Sequence, residues 1–215
     1  MHHDHDHDID SGNDSGNDSG NAIRLATLSE DFDQSEVMFC EADERATLYA
    51  SNDYRPCSVL HPLVWQDPDS TLADIPALVE KGDKVVSREL AELIMAFDPY
   101  GVECYPVELD VADGRASDRF ILAVNNILDV SDRQRSRIIK NPKPHRPDII
   151  SRLAICPEKL RQLPLSRRLV FRVKESNTVF FADDIARLVI DGLQQGRFPL
   201  TQATPFDTSE CAPLR

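Results

Sequence analysis

The sequence predicts an α+β fold in which mixed, mainly antiparallel sheets pack against a few helices. Three observations carry this prediction. Several short stretches are rich in β-branched and aromatic residues, as strands are. Fewer stretches repeat apolar residues at helical spacing. The two kinds of element do not alternate regularly, as they would in a parallel βαβ fold. With 215 residues, 41% hydrophobic and 28% charged, the chain can bury a substantial core.

The first half of the folded part contains weak elements and then one strong helix. Apolar runs at residues 37–39 and 47–49 are candidate strands, and the proline-rich stretch 60–76 is typical of a loop. Ser87 is a favourable N-cap, so we predict a helix from Ser87 to about Phe97. Its apolar positions form one stripe, which consists of Leu90, Leu93, Ile94 and Phe97.

Two strands are predicted after this helix. Residues 102–109 form the first, in which Pro106 indicates an edge position or a bulge. Residues 119–130 form the second, and a polar stretch around Gly114 separates the two. The pair is typical of an antiparallel hairpin with a long loop.

The last part of the chain predicts a further strand, a short helix and a second hairpin. The strand covers residues 149–155, and Pro157 opens a helix to Leu163. Apolar runs at 169–173 and 178–181 flank a turn sequence, which indicates the hairpin.

A final helix is expected after this second hairpin. Either Asp183 or Asp184 is expected to cap it, and it should end near Gly196. A last short strand over residues 197–200 is the closing expectation.

The domain organisation follows from composition. Residues 1–21 carry an alternating His/Asp run and Ser-Gly-Asn-Asp repeats, with almost nothing apolar to bury, so we expect a disordered tail. Its imidazoles offer weak nickel or zinc ligands, but an incidental tail is the favoured interpretation. Residues 22–205 form the predicted α+β domain, and residues 206–215 form a C-terminal tail.

The net charge of −13 argues against nucleic-acid binding, since phosphate contacts need a basic face. The charge is segregated: residues 22–132 contain 23 acidic and 8 basic residues, whereas residues 133–174 contain 13 basic and 2 acidic ones. Opposed fields of this kind suit the steering of a charged protein partner, although the two segments can also cancel locally. Without a signal-peptide core or a long apolar run, a cytoplasmic protein with no membrane contact is expected.

No catalytic signature is present in the sequence. The five cysteines are scattered without a CxxC pair, so free and mostly buried thiols are expected, and we predict neither a metal site nor a cofactor. His61 and His145 are the only histidines outside the tail, and both lie beside prolines in apparent loops. The pair Asp183 and Asp184 is better explained by helix capping than by acid–base work. We therefore expect a protein that is not an enzyme.

Three blocks of sequence, within roughly residues 45–200, carry a resemblance to a known family. The first block reads KVVSRELAEL at residues 84–93 and GVECYPVEL at residues 101–109. The second reads FILAVNNILDVSDRQRS at residues 120–136. The third reads LVFRV at residues 169–173 and TVFFADDI at residues 178–185, and then continues to Arg197 and Phe198.

These three blocks resemble immunity family eleven of the bacterial polymorphic-toxin systems. The resemblance implies an immunity protein that binds and neutralises a cognate secreted toxin, often a type VI secretion effector, in the producing cell. It implies no catalytic residue. The acidic side chains Glu41, Asp43 and Glu44 are the expected contacts with a basic toxin. Two alternatives remain open: an enzyme that reverses the toxin's modification or product, with His61 or His145 in its site, and a metal-handling protein working through its tail.

Overall fold

Strands dominate the part of the chain that the structure describes. The computed structural model describes residues 22–42, 63–81, 83–141, 149–174, 176, 178–209 and 211–213. The strands are β1 (Arg24–Glu30), β2 (Cys40–Glu41), β3 (Leu63–Asp67), β4 (Leu78–Lys81), β5 (Asp83–Ser87), β6 (Val102–Val111), β7 (Gly114–Val124), β8 (Ile127–Leu128), β9 (Arg137–Ile139), β10 (Ile149–Leu153), β11 (Val170–Val173), β12 (Val179–Ala182), β13 (Thr201–Asp207) and β14 (Ala212–Pro213). The α-helices are α1 (Arg88–Met95), α2 (Pro157–Arg161), α3 (Leu165–Leu169) and α4 (Asp183–Gln194). The α+β prediction is confirmed.

Helix α1 forms where the sequence predicts it. The Ser87 hydroxyl accepts a hydrogen bond from the Leu90 amide at 3.3 Å, which satisfies one of the amides left unpaired at a helix N-terminus. The apolar stripe buries Leu90, Ala91 and Ile94. After the helix, Gly101 adopts a φ of +66°, a backbone conformation that favours glycine.

The largest sheet has six strands in the order β2-β3-β6-β7-β5-β4. Its central hairpin differs from the expected long loop, because β6 continues to Val111 and β7 begins at Gly114. Polar residues on either side of the turn pair with each other, since Arg115 forms ion pairs with Glu108 and Asp110, and they therefore extend the strands instead of ending them. The partner strand β3 pairs with β6 only from Val107 onwards, so Pro106, which has no amide to donate, lies just before that ladder. A bulge follows between Val107 and Leu109.

The second sheet has five strands in the order β13-β1-β12-β11-β8. The predicted hairpin at β11 and β12 is present, with Phe171 opposite Phe180. The predicted strand over residues 197–200 is wrong, because those residues form a turn that ends at Leu200 with a φ of +53°. This turn brings the Pro199 carbonyl within 3.0 Å of the Ala77 amide and lets β13 start at Thr201.

Two further expectations are corrected. Residues 37–39 belong to none of the described strands, and only the next two residues form β2; residues 47–49 lie outside the described part. Neither Asp183 nor Asp184 is the N-cap of α4, because Ala182 occupies that position. Both aspartates instead lie in the first turn, where negative charge suits the helix dipole, and Asp183 pairs with Arg187.

Three buried clusters hold the elements together. The first lies between the two large sheets and includes α1 and α4. The second covers the other face of the six-stranded sheet, and the third joins the other face of the five-stranded sheet to a small sheet with the order β14-β10-β9. The described residues beyond 205 take part in this arrangement, since Phe206 is buried in the third cluster and β14 pairs with β10.

Helix α4 packs against Phe198 through a glycine. A Cβ atom on Gly192 would lie 2.3 Å from Cε2 of Phe198, a ring that is only 1% exposed. Helix propensity alone favours alanine over glycine by about 1 kcal/mol. Because overpacking of a tight site costs about 1–3 kcal/mol, we expect Gly192→Ala to lower the free energy of unfolding by about 1–2 kcal/mol in urea denaturation. Gly192→Ala combined with Phe198→Leu should recover part of the loss; a single variant more stable than the wild type would contradict this.

Candidate partner-binding site

The segment between β1 and β2, residues 31–39, displays two large apolar side chains. We call it the braced loop. Phe32 is 65% exposed and Met38 is 72% exposed. An isolated exposed apolar residue is ordinary on a protein surface. Here two of them occur in one loop, and hydrogen bonds hold the backbone of that loop at both ends. These hydrogen bonds determine how rigidly the two side chains are presented.

Two carboxylates at the end of β1 hold the beginning of the loop. Glu30, 2% exposed, accepts hydrogen bonds from the Ser35 hydroxyl at 2.5 Å and from the Glu80 amide at 3.1 Å. Asp31, 7% exposed, accepts bonds from the side chains of Gln34 at 2.5 Å and Gln202 at 2.7 Å. These bonds tie the loop to itself, to β4 and to β13.

The backbone of the first turn adds to this support. The Asp31 carbonyl accepts from the amides of Gln34 at 3.1 Å and Ser35 at 2.7 Å, and the Asp31 carboxylate accepts from the Asp33 amide at 3.2 Å. Side-chain bonds of this kind are typical of turns that aspartate initiates. Phe32 lies inside this closed turn, and its backbone is therefore fixed.

The far end of the loop is held by Asp67, which is 2% exposed at the end of β3. Its carboxylate accepts hydrogen bonds from the Met38 amide at 2.6 Å, the Ser70 hydroxyl at 2.7 Å and the Asp69 amide at 3.2 Å. Burial raises the pKa of Asp67, but these hydrogen bonds lower it by more, so its pKa lies below the usual 3.8. The group is therefore ionised at neutral pH and strengthens each bond it accepts.

The exposure of side chains alternates along residues 37–39. Alternation of this kind places successive side chains on opposite sides of the backbone. Val37 and Phe39 are 4% and 6% exposed and pack in the second cluster beside Trp65. Met38, between them, must therefore face outwards.

Negative charge surrounds the apolar pair. Asp33 and Glu36 are exposed within the loop, and Asp69 is exposed in the neighbouring turn. Between positions 30 and 44 the sequence contains seven carboxylates and no lysine or arginine. A protein that contacts this surface meets an acidic field around two apolar side chains.

The expected partner contacts lie directly after the braced loop in the chain. The backbone of Glu41 belongs to β2, opposite Trp65, and β2 is the edge strand of the six-stranded sheet as described. Asp43 and Glu44 lie outside the described residues, and so do His61, His145 and residues 142–148 of the basic loop.

The thiols differ from the expectation of mostly buried cysteines. Cys40 is exposed, whereas Cys104, Cys156 and Cys211 are half-buried, and all four are free. Burial raises the pKa of the Cys104 thiol to about 11, which keeps it protonated and unreactive at neutral pH.

Within the described ranges, no three His, Cys, Asp or Glu side chains converge to hold a metal ion. No helix in the same ranges is long and apolar enough to cross a membrane.

Comparison with protein families decides the family. A model described as immunity protein family (Imm11) matches residues 56–201, which is more than half of the chain. The chain belongs to the Imm11 immunity protein family. No curated protein matches it. The segment that matches Imm11 includes α1, the β6–β7 hairpin and α4, whereas the braced loop precedes it.

Sequence reasoning missed the central residues of this site. Phe32 and Met38 belong to no periodic pattern longer than a few residues, and Asp67 is 29 positions away from Met38. Residues 37–39 are all apolar in the sequence, and only the structure shows that Met38 is exposed while its two neighbours are buried. The acidic composition around position 41 predicted contacts that directly follow the loop in the chain, and it did not predict these side chains.

Proposed function

We propose that this Imm11 protein is an immunity protein that binds a cognate secreted antibacterial toxin and neutralises it in the cytoplasm of the producing cell. Membership of the immunity family is the observation that carries this proposal. The toxin is a polymorphic-toxin effector, for example one delivered by type VI secretion. Inhibition occurs by occupation of the toxin's active site or of the path to it, so the protein acts by binding and not as an enzyme.

The described residues support a binding role. The braced loop presents apolar side chains on a held backbone, and burial raises the pKa of the Cys104 thiol, which makes that thiol less reactive. Held surfaces bind with a smaller loss of conformational entropy than mobile ones do. These are properties of a recognition surface.

Dose distinguishes binding from catalysis. The toxin is the product of the neighbouring gene, and cells expressing it are given increasing amounts of this protein. We expect protection only when the two proteins are about equimolar, because each inhibitor molecule occupies one toxin. We also expect the purified proteins to form a complex that survives size-exclusion chromatography.

Two results would contradict the proposal. Protection at an amount far below that of the toxin would indicate an enzyme that removes the toxin's product or modification. The absence of both a complex at micromolar concentrations and rescue of the cells would contradict the proposed function itself. Deletion of residues 1–21 is expected to leave both complex and protection unchanged, which separates the domain from its His/Asp tail.

A further inference from the structure

We propose that the braced loop is the toxin-contacting surface, and that the toxin face it fits is basic and contains an apolar recess for Phe32 and Met38. This inference rests on the proposed function. The inference names two apolar side chains, Phe32 and Met38, as the anchors of the contact, and two exposed carboxylates, Asp33 and Glu36, as its charged rim.

The anchors have the chemistry of binding hot spots. Interfaces concentrate their binding energy in a few residues that fill pockets, and aromatic residues and methionine are enriched there. Phe32 and Met38 expose 65% and 72% of their surface, whereas Val37 and Phe39 between and beside them are buried. In this loop, the buried side chains attach the loop to the core, and the exposed side chains are available for contact with a partner.

The held backbone makes this surface ready to bind. Glu30 and Asp31 fix one end of the loop, and Asp67 fixes the amide of Met38 itself. Three buried carboxylates around one loop are unusual, because each buried carboxylate needs hydrogen bonds to offset the cost of its desolvation. Their common effect is to present Phe32 and Met38 in a fixed arrangement, which reduces the entropy lost on association.

Charge selects the partner. Asp33 and Glu36 are exposed next to the anchors in the chain and form the rim, and the sequence from position 30 to position 44 contains no lysine or arginine. Such a rim attracts a face rich in lysine and arginine and repels an acidic one. A basic face is also what a protein uses to hold a polyanion such as nucleic acid. The loop would therefore cover the site where the toxin binds a polyanionic substrate.

The position of the loop in the chain suits selectivity. The match to the family covers residues 56–201, and the loop at residues 31–39 lies before it. The family part supplies β3 with Asp67, whereas the loop itself is contributed by the preceding segment. Discrimination between toxins requires surfaces that differ between inhibitors, and a loop outside the shared segment can differ without altering the scaffold.

The first test removes the anchors. With the toxin of the neighbouring gene as the probe, we expect Phe32→Ala combined with Met38→Ala to raise Kd by about 100-fold, mostly through faster dissociation. The matched control is Tyr100→Ala combined with Leu165→Ala, since those side chains are 57% and 65% exposed elsewhere on the molecule. We expect the control to change Kd by less than about threefold. Thermal unfolding of both variants checks that the fold is retained.

The second test reverses the rim charge. We expect Asp33→Lys combined with Glu36→Lys to slow association by about tenfold at low salt and to flatten its salt dependence. The control is Glu92→Lys combined with Asp191→Lys, which changes the net charge equally on α1 and α4, where both carboxylates are exposed. This control isolates the local field from the total charge.

The outcomes separate this inference from the proposed function. A wild-type protein that forms no complex contradicts the proposed function itself. A wild-type complex that is unaffected by both loop variants overturns the inference alone. Loss of affinity in the Tyr100 and Leu165 control, with intact affinity in the loop variants, places the contact at the other exposed surface and likewise overturns it.

Discussion

Replacing Asn126 with aspartate is expected to lower the free energy of unfolding by about 3 kcal/mol at neutral pH. The side chain of Asn126 is 1% exposed, and its amide nitrogen donates to the carbonyls of Arg167 and Val170, each at 2.8 Å. These bonds join the turn after β7 to the end of α3 and the start of β11. A carboxylate would place a charged oxygen against two carbonyl oxygens, and the Arg167 guanidinium, 3.4 Å from the other oxygen, offsets only part of that repulsion.

The pH dependence of this variant identifies the cause. Apposition to carbonyl oxygens in a buried site raises the pKa of the new carboxyl above its unfolded value. The destabilisation relative to wild type should therefore shrink as the pH falls through the raised pKa, because a protonated carboxyl can donate one of the lost bonds. Urea denaturation of both proteins between pH 7 and pH 5 measures the difference. A deficit equal to that of Asn126→Ala at every pH would show that charge plays no part.

The second large effect is expected at Asp67. Replacing it with alanine leaves the Met38 amide and the Ser70 hydroxyl without their acceptor, and we expect the free energy of unfolding to fall by about 3 kcal/mol. Asp69→Ala is the matched control, because that neighbouring carboxylate is exposed, and surface changes usually stay within about 0.5 kcal/mol. Faster hydrogen exchange at the Met38 amide should accompany the loss, since the far end of the loop is released.

Acid should abolish the contribution of Asp67. Its pKa is lowered in the folded protein, so its stabilisation is fully present above the unfolded pKa of 3.8 and disappears as the pH falls through the lower, folded value. The difference between wild type and Asp67→Ala should therefore be constant from pH 7 to about pH 5 and diminish in stronger acid. Equal stability of Asp67→Ala and Asp69→Ala at pH 7 would contradict the role assigned to Asp67.

Local sequence patterns were sufficient to predict those helices and strands whose stabilising contacts come from residues nearby in the chain. Helix α1 carries its own cap at Ser87 and its own apolar stripe, and the hairpin of β11 and β12 has both strands and turn within a few residues. The β6–β7 turn was misjudged because polar residues there suggest a loop, although one face of a strand tolerates them. Leu200 was misjudged because its left-handed φ results from the return of the chain after α4.

The residues of the candidate site could not be predicted from local sequence patterns, because long-range contacts place them. Carboxylates are expected on the surface, yet Glu30 and Asp67 are buried because each accepts hydrogen bonds from a nearby hydroxyl and a distant amide. The two amides, those of Glu80 and Met38, lie 50 and 29 positions away in sequence. Composition indicated an acidic region near position 41, and only the three-dimensional arrangement of Asp67 and Met38 explained which side chains that region presents.

Strand β1 lies inside the five-stranded sheet, with β12 on one side and β13 on the other. It is the first described strand to leave the ribosome, and its residue Arg24 pairs with Asp207. The sheet therefore cannot close until Asp207 has been synthesised, and contacts across such a long separation in sequence slow folding further. A nascent or shortened chain would lack the strand partners of β1, the strand that leads directly into the braced loop. Protection of a producing cell would then depend on its store of finished inhibitor at the moment the toxin arrives.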